Sequence, residues 1–108
     1  MLDKQGNMHV DILKVPHHGS DRNVSKEFFN TVYANFYVIS ANGRDDNPSL
    51  DTLKWIIECD HENKNSKKIV LTNTTQNVLK TLGQYDQKKF NYECTILEKK
   101  RDFYTINL

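Results

Sequence analysis

Two neighbouring imidazoles, His17 and His18, stand in the run Pro16-His17-His18-Gly19-Ser20-Asp21, the stretch of the chain richest in groups able to do chemistry. Adjacent imidazoles can divide their work, one ligating a metal while the other donates a proton or contacts an anion. Gly19 lets the backbone approach a ligand closely and take a positive φ. Ser20 and the amides after it can add donors for a phosphate. On residue types alone, an ordinary surface loop is as good a reading as a site. A second polar run follows at Asn42-Gly43-Arg44-Asp45-Asp46-Asn47-Pro48. Elsewhere, Cys59 and His61 lie two residues apart, which on a helix points them in different directions, and we read their proximity as accidental.

The elements around these runs follow from hydrophobic patterning. Residues 9–15 form a strand whose apolar positions barely alternate, as expected of a strand covered on both faces. Pro16 ends it, because proline cannot donate to a ladder. Ser25 caps a short helix with Phe28, Phe29, Val32 and Tyr33 on one side. Residues 36–40 are a second buried strand, and Ser49 caps a helix bearing Leu50, Leu53, Ile56 and Ile57 at helical spacing. Residues 68–72 are a third strand. Thr74 or Thr75 then caps a helix with Val78, Leu79 and Leu82, and Gly83 stands where a left-handed C-terminal cap belongs. Residues 92–98 and 103–108 alternate more cleanly and read as a terminal β-hairpin. The order β-α-β-α-β-α-β-β predicts an α/β fold, a mixed sheet layered with helices and finished by an antiparallel edge. In such sheets ligands bind at the C-terminal ends of the strands, where both polar runs fall.

Composition bounds the function. The chain has 108 residues, one domain's length, and 37% of them are hydrophobic against 27% charged. Lys plus Arg number 15 and Asp plus Glu 14, so the net charge of +1 gives no sign of a nucleic-acid or anionic-membrane binder. No run reaches the roughly 18 apolar residues of a membrane span, and the N-terminal residues lack the apolar region of a secretion signal. Two cysteines, Cys59 and Cys94, make no disulfide framework or zinc-ribbon spacing. A cytoplasmic protein with reduced thiols is the expectation.

The run Asp11-Ile12-Leu13-Lys14-Val15-Pro16-His17-His18-Gly19-Ser20 resembles the Leu-Lys-Val-Pro-His-His-Gly-Ser segment of metallo-β-lactamase-fold hydrolases, most of all the branch that includes the hydrolase domain of competence DNA-uptake proteins. The likeness continues through Lys26-Glu27-Phe28-Phe29, Tyr37-Val38-Ile39-Ser40, the polar loop ending Asn47-Pro48-Ser49, and Leu50-Asp51-Thr52-Leu53, covering residues 9–57. It implies an αββα sandwich with a di-zinc centre and hydrolysis of a phosphodiester or related ester. It also implies that the His-His-Gly-Ser run supplies the last metal ligand. That assigns His18 to the metal and His17 to protonation of the leaving group or support of the ligand, with the reverse assignment left open. Ser20 and Asn47 would orient substrate. Metal binding at His18 would need its other ring nitrogen held by a carbonyl or carboxylate, for which Asp21 is the local candidate.

Two departures qualify the resemblance. Many relatives read Gly-His-Pro-Ser where this chain has Asp46-Asn47-Pro48-Ser49, and an amide is a poor zinc ligand that cannot shuttle protons. Asp45 or Asp46 could stand in for the missing histidine, but both read more readily as solvated loop carboxylates. The chain also has no His-x-His-x-Asp-His motif and no Gly-Asp at a strand end. The expectation is therefore the C-terminal half of the sandwich, residues 1–108 forming one partial domain without the N-terminal metal-binding half. Alone it would bind no zinc and hydrolyse nothing, since stable zinc sites use three or four protein ligands. Its partner would be the missing half or a second copy, and the competing reading is a non-catalytic module that pairs through an open sheet face.

Overall fold

A computed structural model describes residues 2, 6–22, 24–59 and 66–97. Strand β1 (Met8–Lys14) leads through a single 3-10 turn (Pro16–Gly19) to helix α1 (Lys26–Thr31) and strand β2 (Val32–Ile39). A second 3-10 turn (Arg44–Asp46) precedes helix α2 (Leu50–Glu58), strand β3 (Lys67–Leu71), helix α3 (Gln76–Gln84) and strand β4 (Tyr92–Ile96). The sheet order is β1-β2-β3-β4 and every pairing is parallel. Three successive right-handed crossovers in that order place all three helices on one face. The contacts of α2 with both α1 and α3 agree with that single layer.

Helix starts obey local chemistry. Ser25, Ser49 and Thr75 each sit in extended backbone and accept a hydrogen bond from the N–H three residues on, occupying a donor the helix leaves unpaired. Where α1 stops is a tertiary matter. Val32 and Tyr33, expected on the helix, belong instead to β2, where they pair with Met8 and His9. β-branched and aromatic side chains suit a pleated sheet, and the ladder with β1 outweighs one more helical turn. Gly83 likewise lies inside α3; the helix ends one residue later, with Tyr85 in extended backbone, so glycine's left-handed freedom is not used there.

The core lies between sheet and helices. Leu13, Tyr37, Ile69 and Cys94 stand in one register row, and Ile39, Leu71 and Ile96 lie in the next row on the same face. They meet Phe29 of α1, Leu53, Ile56 and Ile57 of α2, and Val78 of α3. By alternation, Ile12, Phe36, Val38, Lys68 and Val70 share the opposite face, with the Lys68 ammonium 5.3 Å from the Phe36 ring centroid. The expectation that β1 is covered on both sides does not hold. Being an edge strand beside β2 alone, it leaves Ile12 41% and Met8 43% exposed. Among the described residues the sheet is wholly parallel, and the second hairpin strand expected to make it mixed, residues 103–108, lies outside them. No helix among the described residues is long and apolar enough to cross a membrane. Cys59 is buried, Cys94 is half-buried, and neither is in a disulfide.

Candidate functional site

The C-terminal ends of β1, β2 and β3 converge, and the loops that leave them enclose a cavity of about 300 Å³. His18 comes from the loop after β1, Ser40, Asn42, Arg44, Asp45 and Asn47 from the loop after β2, and Thr72 and Asn73 from the end of β3.

His18 is the best-defined group in it. Its Nδ1 lies 2.6 Å from the carbonyl oxygen of Ser40, the residue that follows β2. A carbonyl only accepts, so Nδ1 carries a proton and donates, and in the neutral ring this leaves Nε2 as the nitrogen with a free lone pair. The ring reaches this carbonyl because His18 adopts φ 58 and Gly19 φ 79, two successive left-handed residues that reverse the chain. Gly19 cannot be otherwise. A Cβ there would lie 2.8 Å from Pro48 Cβ and 3.2 Å from its Cα, and the Gly19 carbonyl accepts from Ser49 N–H at 3.0 Å. The first loop is thus packed against the segment that caps α2.

The second loop is held from the other side. Thr72 Oγ1 accepts from Ala41 N–H at 3.1 Å and donates back to the Ala41 carbonyl at 3.3 Å. Asn73 donates to the same carbonyl at 3.0 Å, and Asn77 of α3 donates to the carbonyls of Asp46 and Pro48 at 2.8 and 3.1 Å. Gly43 (φ 91), Asp45 (φ 56) and Asp46 (φ 57) all take left-handed backbone, the turn being closed by Asp46 N–H to Gly43 and Asn47 N–H to Arg44. Neither Arg44 nor Asp45 has a side-chain partner among the described residues.

The structure gathers some of the expected residues and separates others. His18 and Asn47 border one cavity. Ser20 and Asp21 line the neighbouring larger cleft, which Asn47 also borders, beside the starts of α2 and α3. The nitrogen assigned to Asp21 is instead held by the Ser40 carbonyl, because the left-handed turn at His18 swings the ring across to the end of β2. The hydroxyl of Ser20 accepts from Arg22 N–H at 3.2 Å. His17 belongs to the first turn by its backbone, and its side chain lies outside what the structure describes. His9 is remote from these loops in the chain, bonded to Asn35 at 3.2 Å in the β1–β2 pair.

Arg44, Thr72 and Asn73 were missed on the sequence. The rule that drew attention to the loops after β1 and β2, polar residues at a parallel strand's C-terminal end, applies equally to Thr72-Asn73 after β3. The Ser40 carbonyl has no such signal, since every residue type carries one.

Among the described residues no three His, Cys, Asp or Glu side chains gather as a metal site. One imidazole with its second nitrogen already held has the form of a single metal ligand. A complete centre would need further ligands from residues outside those described. Comparison of the chain with protein-family models, with curated proteins and with solved structures finds no match in any of the three.

Proposed function

We propose that this chain is the C-terminal portion of a metal-dependent hydrolase of the metallo-β-lactamase type, acting on a phosphodiester or related ester. His18 offers Nε2 as one ligand, and the remaining ligands come from residues outside this chain. The observation that carries the reading is the 2.6 Å bond from His18 Nδ1 to the Ser40 carbonyl. A ligating histidine is typically held in this way, since it fixes the tautomer and the ring plane before any metal arrives. The sequence resemblance names the same residue. Asn47, which borders the cavity, would hydrogen-bond a substrate oxygen, and His17 is assigned to protonate the leaving group. Ser20 and Asp21 line the adjoining cleft, where they would meet the rest of a substrate larger than the cavity.

The competing reading is a non-catalytic module. It draws on Ile12, Phe36, Val38 and Val70, which share the sheet face opposite the three helices, with Ile12 well exposed. Its partner would be a second copy or a separate chain supplying the other half of a sandwich.

Elemental analysis and hydrolysis of bis(p-nitrophenyl) phosphate by the gene product at its natural length separate the two. The expected result is stoichiometric transition metal, with His18→Ala losing metal and at least about 100-fold in kcat/KM, or about 2.7 kcal/mol of transition-state stabilisation. A metal-free protein that is dimeric by light scattering overturns the hydrolase reading in favour of the module. Unchanged metal content in His18→Ala removes His18 from the centre.

A further inference from the structure

We propose that Arg44 is the anion contact of this site, forming with the amides of Asn42 and Asn47 a subsite beside His18 for the phosphoryl group of the substrate. That the anion is a substrate rests on the hydrolase reading; that an anion is held there does not.

The case is one of donors and acceptors. Around the cavity several backbone acceptors are taken up within the loops themselves, which leaves His18 Nε2 and the Asp45 carboxylate as open acceptors. The Ser40 carbonyl receives His18, and the Ala41 carbonyl receives both Thr72 and Asn73. Asn42 Oδ1 receives Arg44 N–H at 3.0 Å, and the carbonyls of Gly43, Arg44 and Asn47 receive N–H groups of the same turn. The side-chain donors are left over. The guanidinium of Arg44, with five N–H groups, has no hydrogen bond or ion pair among the described residues, and neither do the amide nitrogens of Asn42 and Asn47. A concave surface that presents a guanidinium and two side-chain amides without partners suits a ligand rich in acceptors, and a phosphoryl group is such a ligand.

Placement supports the assignment. The backbone of Arg44 is bonded on both sides, through its N–H to Asn42 Oδ1 and through its carbonyl to Asn47 N–H, so its Cα is fixed while its head remains exposed. A planar guanidinium pairs two oxygens of a phosphate at once, which lysine cannot do. One group opposes the anion: the Asp45 carboxylate, which also borders the cavity. It makes binding weaker than the donors alone would give, and its removal supplies a test in the opposite direction.

The experiment is titration of the full chain with inorganic phosphate, at constant ionic strength so that screening does not vary, followed in amide ¹H–¹⁵N spectra. The amides of residues 42–47 and Asn73 should shift to saturation with a dissociation constant on the order of 1 mM. Arg44→Gln should weaken binding about tenfold, as expected for one lost charge-assisted contact, and Asp45→Asn should tighten it about threefold. Lys54→Gln, a charge change on α2 outside the cavity lining, should leave it unchanged. Shifts that never saturate, an Arg44→Gln variant that binds as tightly as the parent, or an equal loss in Lys54→Gln each overturn the subsite. Saturable binding that depends on Arg44 in a protein shown to be metal-free would uphold the subsite and remove the hydrolase. Metal at His18 without such binding would do the reverse.

Discussion

Beneath the helices and at the strand ends the same chain follows opposite rules. In the covered layer polar groups are few and matched: Tyr37 OH accepts from Ala34 N–H at 3.0 Å, Ser49 donates to Thr52 at 2.8 Å, and Thr81 donates to the Asn77 carbonyl at 2.8 Å. At the strand ends the backbone is just as well bonded, yet His18, Asp45 and Asp46 hold left-handed conformations, and the Arg44 and Asp45 side chains have no partner among the described residues. A non-glycine residue in that region costs on the order of 1 kcal/mol and persists only where its surroundings over-determine it. Left-handed Asn91, just before β4 at the opposite end of the strands, shows that such backbone is not confined to a site. What sets the strand-end loops apart is the combination of strained backbone, rigid anchoring and free side chains. The core uses bonds to close itself; the loops use them to fix a backbone whose side chains border the cavity.

The largest test of that contrast is Gly19→Ala, where the two regions meet. The added methyl would overlap Pro48 and force alanine to φ +79, so a loss of about 3 kcal/mol is expected in urea unfolding. A loss below about 1 kcal/mol would mean that the first loop yields without disturbing the start of α2.

Tyr37→Phe probes the covered layer. It strips the Ala34 N–H of its partner and should cost about 1–2 kcal/mol at neutral pH. It also carries a pH signature. Burial, chiefly, raises the Tyr37 pKa far above the ordinary tyrosine value, the neighbouring Cys59 thiol adding to the rise. Below about pH 10 the folded and unfolded chains both hold this proton, but above it only the folded chain keeps it. Stability should therefore fall as pH rises past about 10. The half-buried Cys94 thiol, also raised by burial, acts with the same sign from about pH 8.5 upward. Urea midpoints from about pH 9 to 11 should show a shallower decline in Tyr37→Phe than in the parent, and an equal decline would assign the slope to other groups.

Asn77→Ala is the mildest. It removes two hydrogen bonds to the second loop, at Asp46 and Pro48, and should cost about 1 kcal/mol. The sharper readout is local: faster amide exchange at residues 43–47 with little change under the helices. Uniform acceleration across β2 and β3 would show that loop and core unfold together, erasing the distinction between the two regions.

Much of this architecture was legible in particular residues. Ser25 and Ser49 announce the helices they cap, Pro16 ends its strand, the apolar run at 68–72 marks β3 within a residue of its observed bounds, and the run at 36–40 marks only the C-terminal half of β2. Less legible was anything decided by a partner distant in the chain. Val32 looks helical until β1 is laid beside it, and Ile12 looks buried until β1 proves to be an edge. Gly83 carries the usual signal for a helix cap, yet α3 runs through it to Gln84.

The site divides along the same line. The residue types at 17–20 and 42–48 by themselves determined that chemistry, if any, belongs at the strand ends, because glycine, proline and polar side chains cannot continue a buried strand. Only the tertiary structure decided that His18 turns away from Asp21 to the Ser40 carbonyl, and that Arg44, Thr72 and Asn73 border the same cavity. Caps and turns draw on neighbours a few residues away. The contact that holds His18 instead spans 22 residues and ends on a backbone oxygen, which exists as a partner only once β1 and β2 lie in register.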